Sequence, residues 1–167
     1  MLTVAGLLVA SGCGGASTGP RSTVMPEEGA ALDKSLGRGY DVIQAWNAST
    51  TGCEALIQRT EHWKTYNQYR LLVAKCFDRQ YHRLGVKAVL LETSRLMRSI
   101  QRHLTDGCYT ALGRARQLYE SWVVAVGQWH EAASTGDKTR MASKYAAIQR
   151  AWDRFRGSNA STVRACR

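Results

Sequence analysis

Proline is almost missing: the 167-residue chain has 2, Pro20 and Pro26, both near its N-terminal end. Everything after Pro26 is therefore free of the residue that most strongly breaks a helix interior. Also missing, after residue 13, is any apolar run approaching the roughly 18 uncharged residues of a membrane-spanning helix. The cysteines form no CxxC pair, no cysteine or histidine cluster has zinc spacing, and there is no CxxCH haem attachment. Neither a GxSxG nucleophile turn nor a glycine-rich phosphate loop occurs. These absences argue against an enzyme and leave no cofactor or metal site to assign. His62, His82, His103 and His130 are scattered, with no pair at i, i+4. Only His130 borders an apolar stripe, where a hydrogen-bonded boundary histidine is a better reading than a ligand to haem or metal.

What is present begins with the leader. Residues 1–12, MLTVAGLLVASG, carry no charge and hold an apolar core from Leu2 to Val9, long enough for a signal h-region and too short to span. Ala10-Ser11-Gly12-Cys13-Gly14-Gly15 follows at once. It resembles the lipobox of bacterial lipoproteins, in which small residues precede a cysteine that is lipidated and becomes the new N-terminus. The resemblance covers only the leader. It implies cleavage before Cys13, a lipid anchor on Cys13 and a place on the cell membrane or outer membrane, facing the periplasm or the cell exterior. Gly14, where inner-membrane retention commonly uses Asp, implies the outer membrane in a Gram-negative host. Two features depart from the pattern: no Lys or Arg precedes the apolar run, and Ala10 stands where Leu is commoner. The rival reading starts the chain at Met25, as a cytoplasmic basic helical protein binding nucleic acid. A haem or metal carrier is a weaker third.

The run Gly14-Gly15-Ala16-Ser17-Thr18-Gly19-Pro20 has the composition of a flexible tether. The chain thus divides into a signal peptide over 1–12, a lipidated N-terminus and tether over 13–26, and a helical domain over 27–167. One of the 5 cysteines goes to lipid, and Cys53, Cys76, Cys108 and Cys166 remain, an even set that fits two disulfides in an oxidising compartment.

Helical periodicity is clear in the second half. Cys108, Leu112, Ala115, Tyr119, Trp122, Val126, Trp129 and Ala133 step by three and four, opposite Arg116, Gln117, Glu120 and Glu131, which predicts a helix over 106–133. Asp137 then caps a helix whose stripe is Met141, Tyr145, Ile148, Trp152 and Phe155, ending near Arg156. Val86, Leu90, Thr93, Met97, Ile100 and Leu104 form an earlier stripe. The face of Tyr66, Tyr69, Val73, Cys76, Phe77 and Leu84 lies about half a turn away from it, counting roughly 100° per residue, so Gly85 marks a kink or break.

The N-terminal part admits two readings. Leu32, Leu36, Ile43, Trp46, Cys53 and Ile57 keep the spacing of one long helix, whereas Asn47-Ala48-Ser49-Thr50-Thr51-Gly52 reads as a loop, with Thr51 and Glu54 matching a capping box. Either way the fold is all-α, an up-and-down antiparallel bundle of four to five helices stapled by disulfides. Folding the hairpin about residues 134–136 brings Cys108 to Cys166. Cys53 and Cys76 then meet if the chain turns near Lys64 and Thr65; one unbroken helix over 52–84 would hold them too far apart. Asn47-Ala48-Ser49 and Asn159-Ala160-Ser161 match the glycosylation sequon but read as turn chemistry at helix ends.

The net charge is +10, none of it in residues 1–12, and the pI is near 9.7. Such a surface favours anionic partners. Lys87, Arg95, Arg98 and Arg102 line one face of a single helix, suited to anionic lipid headgroups or an acidic envelope partner at about 1 kcal/mol per charge, although a solvated helix face has the same pattern. Trp63, Tyr66 and Tyr69 interleave with basic residues as in single-strand binders, but they fall mostly at core spacing, and an exported protein rarely meets nucleic acid. The expectation is a membrane-anchored binding, structural or exclusion factor.

Overall fold

The computed structural model describes residues 19–60 and 62–166. Cys13 and its lipid anchor, the signal peptide and most of the tether lie outside these residues. Five helices follow in order: α1 (Pro26–Thr60), α2 (Tyr66–Arg83), α3 (Val86–Gln101), α4 (Asp106–Ser134) and α5 (Lys138–Ala165). The helices pack antiparallel, α2 and α3 together bridging α1 and α4, while α4 and α5 form the most extensive pair.

α1 decides between the two N-terminal readings. It is one helix of 35 residues, continuous through residues 47–52, so the loop and the Thr51 capping box are overturned. Local propensity disfavours a helix there, but Trp46, Cys53 and Ile57 are all buried on the same face, and tertiary burial outweighs propensity differences of a few tenths of a kcal/mol per residue. Ser49 accommodates itself by donating from Oγ to the Trp46 carbonyl at 2.6 Å. Pro26 sits at the first helical position, where no N–H is required, and Glu27 and Glu28 complement the N-terminal dipole.

The capping box occurs one turn of the bundle later. The Thr65 side chain accepts from the Gln68 N–H at 3.2 Å, and Gln68 Oε1 accepts in return from the Thr65 and Lys64 N–H groups. This starts α2 and reverses the chain at Lys64 and Thr65. Gly85 adopts φ +62°, a left-handed conformation that glycine reaches without strain, and it separates α2 from α3 where the apolar face rotates. Asp137 caps α5 by accepting from the Arg140 N–H at 3.0 Å.

α5 runs nine residues past its expected end at Arg156. Thr162 is buried and Cys166 is held in a disulfide, and these long-range anchors carry the helix through Asn159-Ala160-Ser161. Both sequons therefore lie inside helices and not at turns. The disulfides join Cys108 to Cys166, as the hairpin about residues 134–136 predicts, and Cys53 to Cys76, because the chain does turn at Lys64 and Thr65. At the other end of the sequence, residues 21–25 are docked on the bundle. Arg21 donates its N–H to the His103 carbonyl (2.9 Å) and accepts from the Thr105 N–H (2.8 Å), pairs with Glu28, and is followed by the buried Val24. The docked chain begins inside the stretch assigned to the tether.

The core is aromatic. Trp46 is fully buried, donates its indole N–H to the Phe77 carbonyl at 3.2 Å, and lies 4.4–4.8 Å, centroid to centroid, from Phe77, Tyr81 and Trp129. Three helices thus meet around one ring system, with α1 contributing Trp46, α2 contributing Phe77 and Tyr81, and α4 contributing Trp129.

Candidate functional site

Next to that ring system, on the solvent side, lies a group of polar side chains. Asp78 and His82 are one turn apart on α2, so they share a face; His130 reaches them from α4, which packs against α2. Asp78 Oδ1 is 2.7 Å from His130 Nε2 and 3.6 Å from His82 Nε2. One ligand atom from each of the three residues lies within 4.8 Å of the other two.

The three differ in how firmly they are held. The His130 ring stacks on Tyr81, with centroids 3.8 Å apart and planes inclined by 11°, and borders Trp46. Burial pushes the Tyr81 phenol above its ordinary pKa, so this face of the imidazole meets a neutral ring at physiological pH. His82, by contrast, is 69% exposed at its side chain. One histidine is thus fixed by the core, and the other is free to change rotamer.

His82 also lines an open groove of about 410 Å³ at the α2–α3 elbow. Gly85, Val86, Leu91, Lys87 and Arg95 form its other walls. Comparison with protein-family models, curated proteins and solved structures yields no match to this chain.

Lys87, Arg95, Arg98 and Arg102 are all exposed and project from α3 or its C-cap within an arc of about 80° at roughly 100° per residue. Their fates differ. Arg98 is engaged by Glu120 at 3.3 Å, and Arg116 holds the same carboxylate oxygen at 2.8 Å. Among the described residues, Lys87, Arg95 and Arg102 enter no ion pair, and the first two face the groove. Trp63 and Tyr66, expected mostly at core positions, are instead 43% and 57% exposed, and only Tyr69 is buried. Trp63 lies in the α1–α2 turn and Tyr66 opens α2, at the end of the bundle.

Glu120 is tuned by its neighbours. Burial pushes its carboxyl up, but the Ser94 hydroxyl at 2.8 Å and the Arg116 and Arg98 guanidinium groups outweigh that effect and hold it below the usual carboxylate range. A depressed carboxyl stabilises the fold at pH values above its unfolded-state pKa, and that contribution is lost as pH falls through the folded-state value. Acid titration of urea stability should therefore fall less steeply in Glu120→Gln than in the wild type below about pH 4.5. Parallel curves would show that Glu120 is not differentially protonated.

In the sequence His130 borders a core stripe, and no two histidines have i, i+4 spacing. Asp78 and His82 do have that spacing, but the third member of the group lies 48 residues after His82, on another helix. The available signal was an Asp-x3-His on a helix whose apolar stripe must pack against the one bearing His130.

Proposed function

We propose that this chain is a lipid-anchored cell-envelope protein, tethered through Cys13, whose basic helical bundle acts as a binding, structural or exclusion factor toward anionic lipid headgroups or an acidic envelope partner. The observation that carries the reading is the pair of disulfides, Cys53–Cys76 and Cys108–Cys166, which consume four of the 5 cysteines and leave Cys13 over. Disulfides between buried cysteines of different helices fit an oxidising, extracytoplasmic compartment. Among the described residues, no helix is long and apolar enough to cross a membrane, so a lipid on Cys13 supplies the attachment. Residues upstream of Met25 also belong to the folded unit, since Arg21 and Val24 are docked, which favours a chain that includes them over one beginning at Met25.

The unpaired cations Lys87, Arg95 and Arg102 give the bundle a polarised face, each charge adding about 1 kcal/mol near an anionic surface. The tether-like composition of residues 14–20 suits a linker that lets that face reach the bilayer to which the chain is anchored. Membrane-extracted protein should show an intact mass equal to residues 13–167 plus a diacylglyceryl group and an acyl chain, with four cysteines oxidised. Cys13→Ala should abolish the modification and release the protein from the membrane fraction. Wild-type protein that keeps residues 1–12 unmodified, or that begins at Met25 with free thiols, would overturn the proposal.

A further inference from the structure

We infer that Asp78, His82 and His130 form a binding site for a divalent transition-metal ion of the zinc type, with one coordination position open toward the basic groove. The inference is independent of the lipid anchor and rests on the donor set and its support.

Two imidazole nitrogens and one carboxylate oxygen are the donors that zinc takes in three-ligand sites with an open fourth position. Donors bound at about 2.0–2.1 Å to one tetrahedral ion lie about 3.3 Å apart. The Asp78 oxygen already stands 2.7 Å from one histidine nitrogen and 3.6 Å from the other, on either side of that spacing. Both histidines turn Nε2 toward the same oxygen. The i, i+4 spacing brings His82 to Asp78, and the packing of α4 on α2 brings His130 to the same oxygen, so that three donors converge on one point.

The support around the site is graded in the way that metal binding uses. His130 is pinned by Tyr81 and Trp46, so one strong ligand is placed before the ion arrives. Asp78 and His82 share a helical face through their i, i+4 spacing. The exposed His82 needs only a rotamer change to close the shell, and the groove it lines gives the ion a path from solvent. Lys87 and Arg95 flank that path, so water or a small anion, phosphate or carboxylate, takes the open position. The same two cations repel a bare ion, which places the affinity below that of a closed four-ligand structural site.

The test is calorimetric titration of Zn²⁺ into the full disulfide-bonded chain carrying Cys13→Ala, which removes the one cysteine outside the disulfides as a competing ligand. One equivalent should bind per chain. His82→Asn, an exposed change that leaves the metal-free circular dichroism and unfolding midpoint unaltered, should weaken binding by about tenfold or more. Asp78→Asn should do the same, and His103→Asn should have no effect. Co²⁺ in place of Zn²⁺ should give the intense visible bands of a low-coordinate site, lost in His82→Asn. Absence of binding, binding indifferent to His82→Asn, or an equal loss in His103→Asn would each overturn the site.

Discussion

Replacing Cys108 and Cys166 together with alanine should lower stability by about 4 kcal/mol, the largest loss expected from any single cross-link in this protein. The disulfide closes a loop of 58 residues, and the other, Cys53–Cys76, closes 23. A cross-link restricts the unfolded chain more when it joins more distant residues, so Cys53→Ala with Cys76→Ala should cost less, about 3 kcal/mol. The order follows from topology. Cys108 lies in the first turn of α4 and Cys166 caps the end of α5, so this bond closes the open end of a hairpin whose other end is the turn at residues 135–137. Urea unfolding of the two double variants under non-reducing conditions measures both losses. Equal losses, or a larger one for the shorter loop, would show that the unfolded chain is not the state the disulfides act on. Against a typical total of about 5–15 kcal/mol, loss of both bonds would leave the bundle near its folding threshold.

Trp46→Ala should be comparably severe, at about 3–5 kcal/mol, and should reach the candidate site. Its indole is fully buried against Phe77, Tyr81 and Trp129, three rings from two other helices, and donates to the Phe77 carbonyl. Truncation leaves a cavity that rigid helix backbones close only in part, so both burial and packing are lost. Trp63→Ala is the comparison: Trp63 is 43% exposed and packs mainly on Tyr69, and its loss should cost less than about 1 kcal/mol. Because Trp46 and Tyr81 together position the His130 ring, Trp46→Ala should also weaken Zn²⁺ binding while leaving all three donors in the chain. Denaturant midpoints of the two tryptophan variants measure the first effect, and the zinc titration measures the second.

The basic face of α3 shows how a pattern in sequence becomes selective in structure. Lys87, Arg95, Arg98 and Arg102 share an arc simply because of helical periodicity, and that much is visible without coordinates. Which of them remain available depends on α4, whose Glu120 takes Arg98. Charge pairing across a helix interface is a tertiary property, invisible to the spacing of residues on one helix.

Helix α1 marks a second boundary. Its apolar spacing and its Asn/Ser/Thr/Gly stretch contradict each other, and nothing local resolves the conflict. The structure resolves it through burial of Trp46, Cys53 and Ile57 on one face and the Cys53–Cys76 bond. The same logic extends α5 through Asn159-Ala160-Ser161, where Thr162 and Cys166 are the distant anchors. Propensity differences are small per residue, and long-range contacts exceed them wherever a face is buried.

By itself, then, the sequence determined the all-α class, most of the core stripes, the cap at Asp137 and the Cys108–Cys166 pairing, and it tied the Cys53–Cys76 pairing to a turn at Lys64 and Thr65 that the structure had to supply. Each follows from short-range periodicity, or from the few ways that antiparallel helices can bring cysteines together. Only the tertiary structure decided that α1 is continuous, that residues 21–25 dock on the bundle, and that Asp78 and His82 face His130. Those outcomes depend on which helix faces meet and at what rotation, and that is set by side-chain packing across the whole core.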